Sequence, residues 1–192
     1  RRIGETPSRY YHALQFASDS NYTILKNPSL TQLYNATKIS GRTKNNLGIG
    51  FFNAISAPMY AEFQRQDGSV FKMQTQPLSN YNIIVLDQEL KNRSFISFTN
   101  TNVIRKDSMN GATVRAVYLS LYDKKNNYNF QQKTAFSQVS GTDPHNGFSI
   151  NTSFDKVSGI WQWGLFNGIK TQYYDINDLG ILRQPNQFVN NV

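Results

Sequence analysis

Large apolar side chains recur at every second position through much of this chain. Phe148, Ile150, Thr152 and Phe154 alternate with Ser149, Asn151 and Ser153. Val117, Leu119 and Leu121 alternate with Tyr118, Ser120 and Tyr122, and Leu47, Ile49 and Phe51 with Gly48, Gly50 and Phe52. A period of two, built from aromatic and β-branched residues, marks strands with two unlike faces. The pattern predicts strands over 32–41, 47–55, 80–90, 94–102, 112–122, 128–138, 147–154 and 160–170. The last turn of this pattern leads into Trp161, Trp163 and Leu165, again two apart. The 80–90 run is less clean, because Ile83, Ile84, Val85 and Leu86 are consecutive. Helical periodicity is weak almost throughout. The expected fold is therefore all-β, an antiparallel up-and-down meander.

Strand length and turn placement narrow that class. Most runs reach the roughly 9–11 residues that a tilted strand needs to cross hydrocarbon, whereas soluble strands average about 5–6. Short turns are predicted at Arg42–Asn46, Lys91–Arg93, Asp123–Asn127 and Asp155–Gly159. Longer loops are predicted at Ser56–Ser79, Val103–Gly111 and Val139–Asn146. In a meander this alternation puts short turns at one end and long loops at the other, as in a transmembrane β-barrel. A soluble sandwich or barrel with long strands fits the same pattern, so both remain open here. The domain organisation expected is an entry loop over 1–31, the meander over 32–170, and a loop with the start of a further strand over 171–192.

On the barrel reading the alternation assigns faces. Leu47, Ile49, Phe51, Val117, Leu119, Leu121, Phe148, Ile150, Phe154, Trp161, Trp163 and Leu165 would face lipid. Lys38, Lys133, Gln162 and Lys170 would face the lumen, and Tyr173 and Tyr174 would join an interfacial aromatic girdle. Arg115 shares the Val117 face and should lie near the loop-side rim, where a long cation can snorkel.

Composition shifts the picture modestly. Of 192 residues, 39% are apolar, 14% aromatic and only 17% charged, with no cysteine, which excludes disulfides and thiolate sites. The net charge of +8 raises nucleic acid or an anionic membrane as partners. The basic residues favour the second: Arg42, Lys44, Lys91, Arg93, Lys124, Lys125 and Lys156 cluster in the short turns, giving a basic turn ring. No nucleic-acid motif or zinc-ligand spacing accompanies them. No run of about 18 apolar residues predicts a membrane helix.

Catalytic material is sparse. His12 and His145 are far apart, and His145 with Asp143 sits among turn formers. Asp175 and Asp178 resemble a fragment of a calcium loop without its closing acid. Glu62 and Asp67 form no evident acid–base pair. No cofactor, metal or catalytic residue is assigned, and the chain is expected not to be an enzyme.

Five stretches in order, RRIGETP, NATKISGRTKNNLGIGFFNAIS, QPLSNYNIIVLDQEL, FISFTNTNVIR and YYDINDLGILRQPNQ, resemble a Bacteroidetes-type family of outer-membrane β-barrel proteins of unknown function. The resemblance covers most of the chain. It implies a barrel similar to those of TonB-dependent receptors, preceded in the longer protein by a family-nine-like carbohydrate-binding module. It implies an excerpt of early barrel strands in the bacterial outer membrane. The partners implied are membrane lipid, carbohydrate and other outer-membrane subunits, with a wider role in carbohydrate or nutrient handling. The alternative is a soluble β-sandwich or barrel that binds glycans through exposed aromatics.

Overall fold

The structure is a computed structural model that describes residues 6–106, 111–176 and 187–191. Its elements run α1 (Tyr10–Ser20), β1 (Thr23–Lys26), β2 (Leu33–Arg42), β3 (Leu47–Ser56), β4 (Met59–Gln64), β5 (Val70–Gln76), β6 (Ser79–Glu89), β7 (Phe95–Arg105), β8 (Gly111–Tyr122), β9 (Tyr128–Ser140), β10 (His145–Lys156), β11 (Trp163–Lys170) and β12 (Gln187–Asn191). Nine strands form one sheet in the order β12-β11-β10-β9-β8-β7-β6-β3-β2, and three form a second in the order β1-β4-β5. The expected antiparallel meander is thus present. Its strands follow chain order except where β4 and β5 are inserted between β3 and β6. Among the described residues β2 and β12 remain the sheet's two edges.

The chain divides into two compact units, one drawing on Arg1–Thr37, Asn53–Tyr81 and Ile104–Met109, the other on Lys38–Phe52, Asn82–Val103 and Asn110–Val192. The first has a small apolar core. Ala13 and Ala17 of α1, four residues apart and so on one helix face, are buried against Ala61 and Phe63 of β4. Phe16, Tyr22, Ile24, Phe71 and Met73 pack around them. Helix α1 has no side-chain N-cap and ends at Asn21, whose φ of 52° is the left-handed conformation that asparagine tolerates. Packing of the two alanines, rather than capping, therefore holds it.

This unit corrects two expectations. The segment 1–31 is not an entry loop, because it contains α1 and β1. The segment 56–79 is not a loop, because it contains the β4–β5 hairpin, paired from Tyr60↔Gln74 to Gln64↔Val70. A third correction concerns the turns. Strands β9 and β10 extend to Ser140 and His145, so the loop expected over 139–146 shrinks to 141–144. It is shorter than the β10–β11 connection over 157–162, and the alternation of short turns and long loops fails there. A fourth concerns β11, which begins at Trp163 and not at 160. Trp161, 81% exposed, and Gln162 therefore lie in the preceding turn and not on strand faces.

In the second unit the tight turns are locally encoded. At the β8–β9 turn the Asp123 carboxylate accepts the N–H groups of Asn127 at 2.6 Å, Tyr128 at 2.9 Å and Lys125 at 3.1 Å. The Tyr128 bond first, with the other two, holds this carboxyl below the usual carboxylate range. A depressed folded-state pKa means the turn gains stability above the unfolded value, about 3.9, and loses it as pH falls through the lower folded value. The Asn127 and Tyr128 amide shifts should therefore titrate together with a midpoint below about 3.9, and Asp123→Asn should abolish that transition.

Candidate functional site

Strand register sorts the sheet of the second unit into two chemically opposite faces. Directly paired residues share a face. Across β8, β9, β10 and β11, Leu121, Phe130, Phe154 and Leu165 form one row, and Val117, Thr134, Ile150 and Ile169 another. Phe98 of β7 pairs with Val117 and extends the second row, and Ile96 pairs with Leu119, which lies between the two rows. Ile49, Phe51, Ile84 and Leu86 of β3 and β6 are exposed like them. Ten large side chains on this face are between 36% and 46% exposed, Ile96, Phe98, Val117, Leu121, Phe136, Phe148, Phe154, Trp163, Leu165 and Ile169, whereas Leu119, Phe130 and Ile150 are half-buried. This face is apolar and outward.

Aromatic residues border the apolar rows at both ends. At the turn end Phe154 lies 5.9 Å from Tyr128, nearly parallel, and 5.7 Å from Trp163. At the other end Phe136 and Phe148 pair directly. Arg115 is opposite Phe136, at that second border. Between the two apolar rows Leu119, Gln132, Thr152 and Asn167 form a more polar one. Thr152 donates to Gln132 at 2.7 Å, and Gln132 donates to Thr134 at 3.2 Å.

The opposite face is polar. Tyr118 donates its hydroxyl to Gln131 at 2.9 Å; Gln131 donates to Asn129 at 2.7 Å; Asn129 donates to Ser120 at 3.1 Å. The Lys133 ammonium lies 4.5 Å from the Tyr118 ring centre, and Lys170 is paired with Ser149 on the same face. Two glycines keep this face clear for neighbours. A side chain at Gly164 would meet the Asp155 carboxylate, and one at Gly168 would come within 2.9 Å of the Asn151 amide oxygen.

The turn ends form a joined rim. Val157 donates its N–H to the Asn127 carbonyl at 2.8 Å, Glu89 to that of Asn46 at 3.3 Å, and Tyr122 to the Ser94 hydroxyl at 2.8 Å. Lys44, Lys91, Lys124 and Lys125 are exposed there. Arg93 covers the Tyr122 ring at 5.3 Å, Lys156 donates to the Trp161 carbonyl at 2.9 Å, and Arg42 pairs with Glu89 at 2.6 Å and Asp87 at 3.4 Å. Three of the seven residues of the basic ring are thus engaged locally. A shallow cleft of about 480 Å³ beside it is lined by Asp87, Glu89, Arg93, Ser94 and Phe95. Its ion pairs are largely solvated and worth no more than about 1 kcal/mol each.

Catalytic geometry is thin. His145 has Asp143 at 3.9 Å and Asp175 at 4.0 Å, with no nucleophile described beside it. Lys72 holds Glu62 below the usual carboxylate range, and hydrogen bonds from Ser69 do the same for Asp67, the reverse of a general acid. Asp178 lies outside the described residues. Among the described residues no group of three acids or histidines could hold a metal ion, and no helix is long and apolar enough to cross a membrane.

A family model described as a domain of unknown function, DUF5916, matches residues 1–192. The chain belongs to the DUF5916 family. No curated protein and no solved structure matches it.

In this DUF5916 domain Leu47, Ile49, Phe51, Val117, Leu119, Leu121, Phe148, Ile150, Phe154, Trp163 and Leu165 fall at outward parities of their strands, and Trp161 does not. Lys133 and Lys170 lie on the polar face, Lys38 shares the parity of Arg42, and Gln162 lies in a turn. Tyr173 is exposed, whereas Tyr174 is 8% exposed and burial pushes its hydroxyl pKa up. Tyr174 therefore does not stand in an exposed girdle. The aromatic borders are built instead from Tyr128, Trp163, Phe136 and Phe148, whose alternation with polar neighbours was present in the sequence.

Proposed function

We propose that this DUF5916 domain is a non-enzymatic segment of a transmembrane β-barrel in the bacterial outer membrane, with the apolar face on lipid and the polar face on a lumen. The observation that carries this reading is the inverted sheet: large apolar side chains half exposed on one face, amides and hydroxyls in bonded networks on the other. A side chain such as Leu or Phe gains about 1.5–3 kcal/mol on full burial. Leaving ten of them about 40% exposed to water would forfeit on the order of 10 kcal/mol, as much as the net stability of a whole domain. Hydrocarbon removes that loss.

The dimensions agree. From Lys156, beside Tyr128 and Trp163, to Phe148 a strand rising about 3.3 Å per residue spans about 26 Å, or about 20 Å at a barrel tilt near 40°. Transmembrane barrels carry an apolar band about 25 Å tall, with aromatic borders. Open edges are not tolerated in hydrocarbon, so this reading requires β2 and β12 to pair, with each other or with further strands. The exposed lysines of the turn rim would meet anionic headgroups. The kinship with TonB-dependent receptor barrels, and carbohydrate or nutrient handling by the wider protein, rest on the sequence resemblance.

A lipid-soluble photoreactive label tests the assignment residue by residue. It should mark Val117, Leu119, Phe148 and Ile150 and spare Tyr118 and Ser149. Equal labelling of both faces, or recovery of the native protein from water without detergent, would defeat it.

A further inference from the structure

The polar face changes character along its length. Toward the turn rim it carries Tyr118, Gln131, Asn129, Lys133, Asn151 and Phe166. Toward the opposite end smaller residues predominate, Ala112, Ala116, Ala135, Ser137, Gly147 and Ser149, with Val114, Val139 and His145 among them. A segment of the chain is seated on part of that small-residue shelf. After β11, residues 171–176 turn back across β10 and β9. Thr171 donates its N–H to the Phe148 carbonyl at 3.0 Å, and Phe148 donates its N–H to the Thr171 hydroxyl at 2.9 Å. Asp175 donates its N–H to the Ser137 hydroxyl at 3.0 Å. Between these anchors the backbone of Tyr173 and Tyr174 lies directly on Gly147, where any Cβ would collide with it, and Tyr174 is buried.

We infer that residues 171–176 are a strap that narrows the passage on the polar face, and that Gly147 and Ser137 are its seat. The inference rests on the reading of that face as a lumen. Segments folded into a barrel interior restrict what crosses it. Here the restriction acts by backbone, since only glycine at 147 admits the strap. A second face residue, Ser137, is held in place by donating to the Gly147 carbonyl at 3.4 Å, which couples the two contacts.

The full-length protein, reconstituted in planar bilayers, tests this with two variants that loosen the strap differently. Gly147→Val fills the seat. Asp175→Pro removes the N–H that reaches Ser137 without adding bulk beneath. Each should raise single-channel conductance at least about twofold over the parent. With no cysteine in these 192 residues, the pair Ser137→Cys and Asp175→Cys offers a clean lock. It should cross-link on oxidation in the parent. In the Gly147→Val background the same pair should cross-link poorly and conductance should stay raised, because the filled seat keeps the strap away from Ser137. Parental conductance in both loosened variants, or a pair that fails to cross-link in the parent, would overturn the strap while leaving the barrel intact. A parent protein that stays out of the bilayer would remove the barrel reading and this one with it.

Discussion

Arginine at both Leu119 and Ile150 should cost the folded domain roughly 4–8 kcal/mol when measured by urea titration in lipid vesicles. The two residues stand on the apolar face, in the adjacent rows midway between its aromatic borders. A charge at the midplane of a barrel's lipid face costs about 2–4 kcal/mol, falling toward zero at the interfaces. They lie on strands separated by β9, roughly 12 Å apart at the usual strand and residue spacings, so their effects should add. That total rivals a typical net stability of about 5–15 kcal/mol, and the double variant should largely fail to insert. Ser97→Arg is the control. Ser97 pairs with Tyr118 on the polar face, and there a long cation should cost less than about 1 kcal/mol. The soluble reading predicts the opposite order. On a water-facing surface the two arginines would be nearly neutral, within about 0.5 kcal/mol each, and would improve solubility. Equal tolerance on both faces would end the membrane proposal.

Most of the eight long strands were legible because they had one apolar and one polar face, so the period of two ran through most of their length. Their ends shifted by up to three residues where the pattern stopped being informative. Trp161 kept the parity of Trp163, but the chain turns at Gly159, with φ of 90°, and pairing resumes only after Gln162. The small unit was less visible. Its strand β4 did alternate, Met59, Ala61 and Phe63 inward against Tyr60, Glu62 and Gln64, and Asp67-Gly68 marked a hairpin. Those signals lay in a stretch assigned to one long loop. Helix α1 buries only two alanines fully, which leaves almost no amphipathic trace. The placement of Tyr174 could not be read at all, since it depends on the absence of a side chain at Gly147, distant in sequence and joined to it only by the fold.

Phe63→Ala should destabilise the small unit by about 3–5 kcal/mol, the range for emptying a buried aromatic site. Phe63 has no exposed surface. Its ring stacks on Phe71 at 5.3 Å and meets the edge of Phe16 at 5.8 Å, and the same Phe71 contacts Tyr22 at 5.3 Å. Removing it strips the central ring from a cluster that carries α1, β1, β4 and β5 together, and α1 has no side-chain N-cap to fall back on. The loss should therefore be local first: hydrogen exchange would rise across Tyr10–Ser20 and Met59–Gln76, while the amides of β8, β9 and β10 keep their protection. Such a split is what two compact units, each with its own packing, require. Uniform loss of protection across β8, β9 and β10 would mean instead that the nine-stranded sheet depends on this small core, and that the β4–β5 hairpin is part of what keeps the sheet folded.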